Sequence, residues 1–386
     1  MVADEANNVY ITSWDFSTNP MQIIKYDAAG NLQWTASSPL VNENAHGRIF
    51  YKNGFLYRTG GAWMTVTGKN IPVVYTQKYN ASTGALVWAT TYYHADKISQ
   101  VGWDLVVDAT GNVYVAASVL NKSGKNQNGN WVTLKYNSAG TQQWAVIYDG
   151  NGNDIWSGSQ DAPNAITMTN DGNIVVTGTS YTTTGQFSSQ DMTTIKYSPA
   201  GSQIWIISYD NPLHKNDGAF AIATDASSNV YITGTTGNYP NDSVTTIKYS
   251  ATGSQVWLMN YVGHTQNIRV DNIGNVYVGA ETLGFFYLIK YSQGASPIAN
   301  KQINPGEEIN LIALKLYPNP AINQITLRNS ENKMLGSIII YDAAGKMVYQ
   351  KTIGGSQTMI DIKSFSAGIY YLKSDQLQAT IKFVKQ

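Results

Sequence analysis

Six copies of one short segment recur along the first three quarters of the chain, and this constrains the fold more than any other feature. The segment is Lys-Tyr, a turn containing Gly, then Trp. It first reads Lys25-Tyr26-Asp27-Ala28-Ala29-Gly30-Asn31-Leu32-Gln33-Trp34. It returns at Lys78 to Trp88, Lys135 to Trp144, Lys196 to Trp205 and Lys248 to Trp257, and a sixth copy has Lys290, Tyr291 and Gly294, with Ile298 where Trp would fall. A second segment precedes each copy, as in Asn8-Val9-Tyr10-Ile11-Thr12, Gly111-Asn112-Val113-Tyr114-Val115 and Asn275-Val276-Tyr277-Val278-Gly279. The Lys-to-Lys spacings are 53, 57, 61, 52 and 42 residues. A period of this size marks a supersecondary unit that buries its faces only by packing on its neighbours.

Each repeat parses into four short strands, A to D. In the fifth, Ala219 to Thr224 is strand A and Asp225 to Asn229 a tight turn. Val230 to Gly234 is strand B, Val244 to Tyr249 strand C and Gln255 to Tyr261 strand D. The runs are β-branched or aromatic and are bounded by Gly, Asn, Asp and Ser. No stretch sustains a helical period. The expected fold is all-β: a six-bladed β-propeller of four-stranded blades over residues 1–303, then a linker at 304–312 and a small Ig-like antiparallel β-sandwich at 313–386. The strand D Trp is expected to pack on the neighbouring blade, and the recurring Lys to lay its stem on apolar surface with its ammonium at a carboxylate or water. Strand A of the first repeat has almost no residues, and residues 296–303 are expected to supply strand D of the sixth. These repeats resemble the SBBP type of bacterial secreted propellers. The Gly-x-x-x-Trp segments also look like the tryptophan-docking repeat of quinoprotein propellers, but six repeats rather than eight, without cysteine, argue against a quinone-dependent dehydrogenase.

Composition narrows the class. The 386 residues include 25 basic and 25 acidic side chains, so the zero net charge argues against nucleic-acid binding. No apolar run approaches the ~20 residues of a membrane-spanning helix. The absence of cysteine removes disulfides, thiolate metal sites and a cysteine nucleophile. Residues 313–386 carry nine basic and four acidic side chains and the remainder 16 and 21, a contrast that supports a domain boundary near residue 305 to 312.

The last 74 residues alternate in apolar pairs such as Ile325 and Leu327, Ile338 and Ile340, Ile360 and Ile362, and Ile381 and Phe383. Within them Leu316-Tyr317-Pro318-Asn319-Pro320-Ala321 resembles the opening motif of the type A C-terminal sorting domain of the type IX secretion system. Ile340-Tyr341-Asp342-Ala343-Ala344-Gly345-Lys346 resembles its central motif. Ser366-Ala367-Gly368-Ile369-Tyr370-Tyr371-Leu372 resembles the next, and Lys382-Phe383-Val384-Lys385 the terminal strand. The resemblance implies export across the outer membrane of a Bacteroidota-type bacterium by that machinery. It also implies removal of the domain by the system's sortase, with release of the cargo or attachment to surface lipopolysaccharide. Pro318 and Pro320 are expected to hold an extended approach to the sheet, and Gly345 and Gly368 to serve tight turns. This route needs a secretory signal, and Met1-Val2-Ala3-Asp4 has neither a basic start nor an apolar core. A signal, and further repeat residues, are therefore expected ahead of Met1 in the whole protein.

A ligand is expected on the end of the ring that carries the B–C and D–A connections, because these are long and variable (Asn121 to Asn130, Tyr181 to Asp191, Asp149 to Asp161). Trp14, Trp63, Trp131 and Trp156 fall near that end, outside the repeated Trp position. They are the candidate surface for a glycan or a surface-protein partner. The competing reading buries them under loops or between blades. His46, His94, His214 and His264 occupy D–A connections at inequivalent offsets without a carboxylate pattern, so no metal site is expected. Asp149 to Asp154 faintly resembles a calcium loop but lacks its sixth-position Gly and twelfth-position Glu. No cofactor fingerprint or catalytic motif is present. The leading expectation is a secreted or surface-attached binding or adhesion protein. The alternatives are an extracellular polysaccharide hydrolase or lyase using acids at the axial mouth, and a purely structural surface-layer protein.

Overall fold

The computed structural model describes residues 1–13, 21–39, 43–44, 47–66, 68–94, 97–123, 126–150, 161–184, 187–237, 242–282, 285–292, 314–329, 334–342, 346–374 and 379–386. The chain divides into two compact units, Met1–Lys301 and Gln302–Gln386. Both are all-β among the described residues.

The first unit contains six antiparallel meanders in chain order. The first pairs Val2–Ala3, Val9–Ser13, Gln22–Tyr26 and Leu32–Ser37. In the second, Glu43–Asn44 and Ile49–Lys52 both pair with Phe55–Val66, followed by Lys69–Asn80 and Leu86–Tyr92. The third is Lys97–Val107, Val113–Ser123, Asn126–Tyr136 and Gln142–Tyr148, and the fourth Ala162–Met168, Ile174–Thr184, Phe187–Tyr197 and Gln203–Tyr209. The fifth is Asp217–Thr224, Val230–Thr236, Ser243–Tyr249 and Gln255–Val262. The sixth shows three strands, His264–Val270, Val276–Thr282 and Phe285–Tyr291. The stretch expected to be its strand D lies outside the described residues. These are sheets of the kind that propeller blades are made of. Among the described residues no sheet closes on itself.

The A–B turn explains the second repeated segment. In the fifth sheet Asp225 Oδ1 accepts from the backbone N–H of Ser227 and Asn229, while Oδ2 accepts from Asn229 Nδ2 and from the Tyr231 hydroxyl. The same four-bond arrangement recurs at Asp4 and Asp271. One carboxylate thus satisfies the donors of a turn and fixes the strand B tyrosine.

The Lys-Tyr-turn-Trp segment builds the joint between sheets. In antiparallel register Lys248 faces Tyr231, and its ammonium lies 5.0 Å from the ring centroid. Lys25, Lys135 and Lys290 repeat this over Tyr10, Tyr114 and Tyr277. The ammonium also reaches the next sheet's C–D turn: Lys25 donates to the Ala81 carbonyl, Lys135 to Pro199 and Lys196 to Ala251. A carboxylate partner, as expected from sequence, appears at Lys196 with Asp171, 3.1 Å away. The strand D indoles reach the same turns. Trp88 Nε1 donates to Ser138, Trp144 to Pro199 and Trp205 to Ala251. Each ring lies against the turn glycine of the next sheet, and a Cβ on Gly140 would stand 2.8 Å from Trp88. Packing on the neighbouring sheet is therefore where the sequence reading placed these tryptophans.

Between sheets the apolar faces meet in one pattern. Tyr231 and Val244 of the fifth sheet pack on Ile268, Val276 and Val278 of the sixth, and Tyr114 and Trp131 of the third on Ile174, Val176 and Ile195 of the fourth. The Lys-bearing face of each sheet looks to the next sheet, and the opposite face to the preceding one. Strand A carries a one-residue bulge in the third to sixth sheets, after Gly102, Pro163, Ala219 and Thr265.

The second unit has two sheets over one core. One pairs Leu314–Tyr317, Gln324–Asn329 and Gln357–Asp361. The other runs Met347–Ile353, Gly336–Asp342, Gly368–Ser374, Ala379–Lys385. Ile325, Leu327, Ile338, Ile340, Leu372 and Phe383 are buried between them, as their alternation predicts.

Candidate functional site

The B–C hairpins decide the shape of the candidate ligand end. The segments Asn121 to Asn130 and Tyr181 to Asp191, expected as loops, are mostly ladder. Asn121 pairs with Asn128 and Thr182 with Ser189. Both segments are almost wholly polar, yet their described residues have cross-strand partners along the ladder, so composition alone misread them. Strands B and C therefore project as long arms in the second, third and fourth sheets, 11 or 12 residues each, against 7 in the fifth and sixth.

Trp63 sits on the second sheet's arm, paired with Pro72, and is 44% exposed. Trp131 is a correction: it is 1% exposed, its ring lies edge-on to Tyr148 at 5.4 Å, and Nε1 donates to the Thr179 carbonyl of the next sheet. The cause is period two. Trp131, Thr133 and Lys135 share the face that looks to the fourth sheet. Trp14, Trp156, His46 and most of the calcium-like segment, from Asn151 to Asp154, lie outside the described residues.

The carboxylates at this end were not legible as a group. Asp191 in strand C, Asp210 in the D–A connection and Asp217 opening strand A bring oxygens within 4.8 Å of one another. His214 Nδ1 lies 2.6 Å from Asp210 Oδ2, and His264 Nε2 3.3 Å from Asp242, so two histidines read as unaccompanied do have carboxylate partners. Burial pushes Asp191 up to about 7, with the Asp210 and Asp217 charges adding to it against the Ser189 hydrogen bond. Burial likewise raises Asp217 to about 6 despite bonds from Asn211. A hollow of about 330 Å³ adjoins Asp217, lined also by Asn164, Gln190, Asn216, Phe220 and Thr235. Three oxygens at this spacing suit proton sharing or a hard cation. Their bonds also have a structural role. Asp217 ties down the backbone and side chain of Asn211 in the D–A connection. The equivalent Asp161 and Gln100 accept from the backbone N–H of Gly150 and His94. The in-register recurrence of Gln100, Asp161 and Asp217, four or five residues ahead of the apolar part of strand A, was the available signal. In the third sheet Asp104 is raised to about 6 by burial, against the Arg48 charge of the second sheet and the Arg269 charge of the sixth.

In the second unit the sequence motifs converge. Tyr317 is exposed at a strand end, and the chain bends through Pro318, Asn319 and Pro320, both prolines following cis peptide bonds, where an extended approach was expected. The Asn319 side-chain oxygen accepts from the Val384 N–H, and Ala321 N–H donates to the Val384 carbonyl. The opening motif is thus docked on the terminal strand, which contains Lys382 and Lys385. Lys385 pairs in turn with Gly368. The Tyr370 ring stacks on Phe383 at 5.5 Å and its hydroxyl donates to the Ser366 carbonyl. Asp342 Oδ1 accepts from the Lys346 N–H across the central turn, whose Gly345 lies outside the described residues.

Residues 315–386 match the model of the secretion system C-terminal sorting domain. This tail marks the chain for export by the type IX system, to the cell surface or the medium. No curated protein matches the chain. Among solved structures it is similar to PorZ of Porphyromonas gingivalis, described as an essential surface component of the type IX secretion system. That likeness has 12% identity over 97% of this chain and 65% of PorZ, with a TM-score of 0.33, so the chain spans slightly less than two thirds of PorZ's length. A protein of unknown function from Dyadobacter fermentans has 9% identity over 72% of this chain and 85% of its own, with a TM-score of 0.42. A polysaccharide lyase, an ulvan lyase, has 8% identity over 76% and 80%, with a TM-score of 0.49. Likenesses at this level say nothing about activity. Among the described residues no helix is long and apolar enough to cross a membrane.

Proposed function

We propose that this chain is an exported binding or adhesion protein: residues 1–303 form a six-bladed propeller of SBBP-type repeats, and residues 313–386, after a linker at 304–312, are its export label. The sorting-domain match over residues 315–386 carries the export half. The axial arrangement is supported by the charges of Arg48 and Arg269, from the second and sixth sheets, both acting on Asp104 of the third. The sortase removes the tail, and the cargo is released or attached to lipopolysaccharide. A glycan or a surface protein binds on the rim raised by the long B–C arms, where Trp63 presents its indole. Trp63→Ala is expected to weaken glycan or surface-protein binding at least tenfold on an array while leaving the melting temperature unchanged. Undiminished binding rejects this face. Deletion of residues 313–386 is expected to trap the cargo in the periplasm, and normal release rejects the export reading.

A second reading, a polysaccharide hydrolase or lyase, is favoured by one observation: the raised carboxyls of Asp191 and Asp217 beside the hollow. Their hydrogen bonds to Ser189 and Asn211 place it second.

A further inference from the structure

The bulge in strand A inserts one residue without a ladder partner, and in the fourth and fifth sheets that residue is Asn164 and Phe220. A bulge re-aims the side chain of its extra residue. Both of these side chains border the hollow of about 330 Å³ between the two sheets, a size at the small end of ligand pockets, and Phe220 is 37% exposed. Gly218 leaves the room: a Cβ there would stand 3.1 Å from Thr179 Oγ1 and 3.2 Å from the Phe220 ring. Three carboxamides line the hollow, from Asn164, Gln190 and Asn216. Asn164 Nδ2 donates to the Ala219 carbonyl, which leaves its Oδ1 open. Asn216 Oδ1 accepts from the Gln190 backbone N–H, which leaves its Nδ2 open. The Gln190 side-chain amide has no partner among the described residues. The Thr235 hydroxyl in the wall is buried without a hydrogen-bond partner.

We infer that this hollow seats one uncharged sugar ring, with the apolar face of the ring on Phe220 and its hydroxyls on Asn164, Gln190 and Asn216. A carboxamide sets an acceptor beside a donor, and two adjacent ring hydroxyls meet that pair with one donor and one acceptor. The Thr235 hydroxyl, which the fold leaves unsatisfied, favours a ligand rich in the same group. Charge argues against an anionic ligand. No basic side chain is among the described lining residues, so a carboxylate or sulfate finds no counter-charge. The one acid there, Asp217, has both oxygens on Asn211. A lipid chain fits no better, since it would bury the amides without hydrogen bonds. The inference rests on the glycan half of the binding reading, and adds to it a second contact point beside Trp63 and the class of sugar.

The test titrates the full chain with the methyl glycosides of glucose, galactose, mannose, N-acetylglucosamine and glucuronic acid, read by saturation-transfer NMR. At least one neutral glycoside is expected to bind saturably, and the glucuronide not to bind. Phe220→Ala and Gln190→Ala are each expected to weaken that binding at least tenfold with an unchanged melting temperature, and Trp63→Ala to leave it as it was. Three results overturn the inference: no saturable binding of any neutral glycoside, a glucuronide bound as tightly as the glucoside, or binding by Phe220→Ala and Gln190→Ala equal to that of the unmodified chain. If those two variants bind glycosides normally while Trp63→Ala loses its array signal, the hollow is rejected and the binding reading stands. An unmodified chain that binds neither an arrayed glycan nor a glycoside in solution rejects both.

Discussion

At the residue scale, one aromatic and one small residue make each joint. Trp144 covers Gly201, donates to Pro199, and tilts against Tyr114 at 6.0 Å. Its replacement by Ala removes that packing and bond, and is expected to cost about 3 kcal/mol in chemical denaturation, the low end for a large aromatic because one edge is solvated. Acidic side chains fall into two classes with opposite pH behaviour. Burial raises Asp191 to about 7 and Asp104, Asp161 and Asp217 to about 6, above the ordinary 3.8. The folded state then holds protons more tightly, so stability falls as pH rises from 3.8 through those values. At Asp171 burial is outweighed by bonds from Thr169 and Lys196, which lower it to about 2, and at Asp108 and Asp225 by bonds from the turn. Those contributions are complete above 3.8 and are lost as pH falls below it. Stability is therefore expected to peak near about pH 4. Asp191→Asn is expected to flatten the decline between pH 4 and 7, measured by denaturation at stepped pH, and a profile superimposed on the unmodified protein would contradict the assignment.

At the element scale, the A–B turn and the B–C hairpin were read with different success. Asp, Asn and Tyr at positions one, five and seven identify the turn because the bonds are local, all within six residues. Asp225→Ala leaves two backbone N–H groups, an amide and a hydroxyl without their acceptor. The expected loss is about 2–3 kcal/mol by urea titration, with Asn229→Ala losing less because it removes only one of the four bonds. The B–C arms were misread as loops because polar strand residues look like loop residues until their cross-strand partners are known. Trp131 was misplaced for the same reason, and its burial followed once the face shared with Lys135 was counted.

At the scale of the whole molecule, the chain is two compact units with separate cores. Calorimetry of the full chain is expected to resolve two transitions, and a chain cut after Lys301 to retain only the larger. A single transition that disappears on truncation would show the units to be one cooperative block.

Repetition, turn chemistry and the ordered motifs of the tail were determined by sequence alone, because each depends on residues close along the chain or on strict strand periodicity. The tertiary structure decided which tryptophan is exposed and which carboxylates meet. Those outcomes depend on residues far apart along the chain that strand pairing and sheet packing bring together.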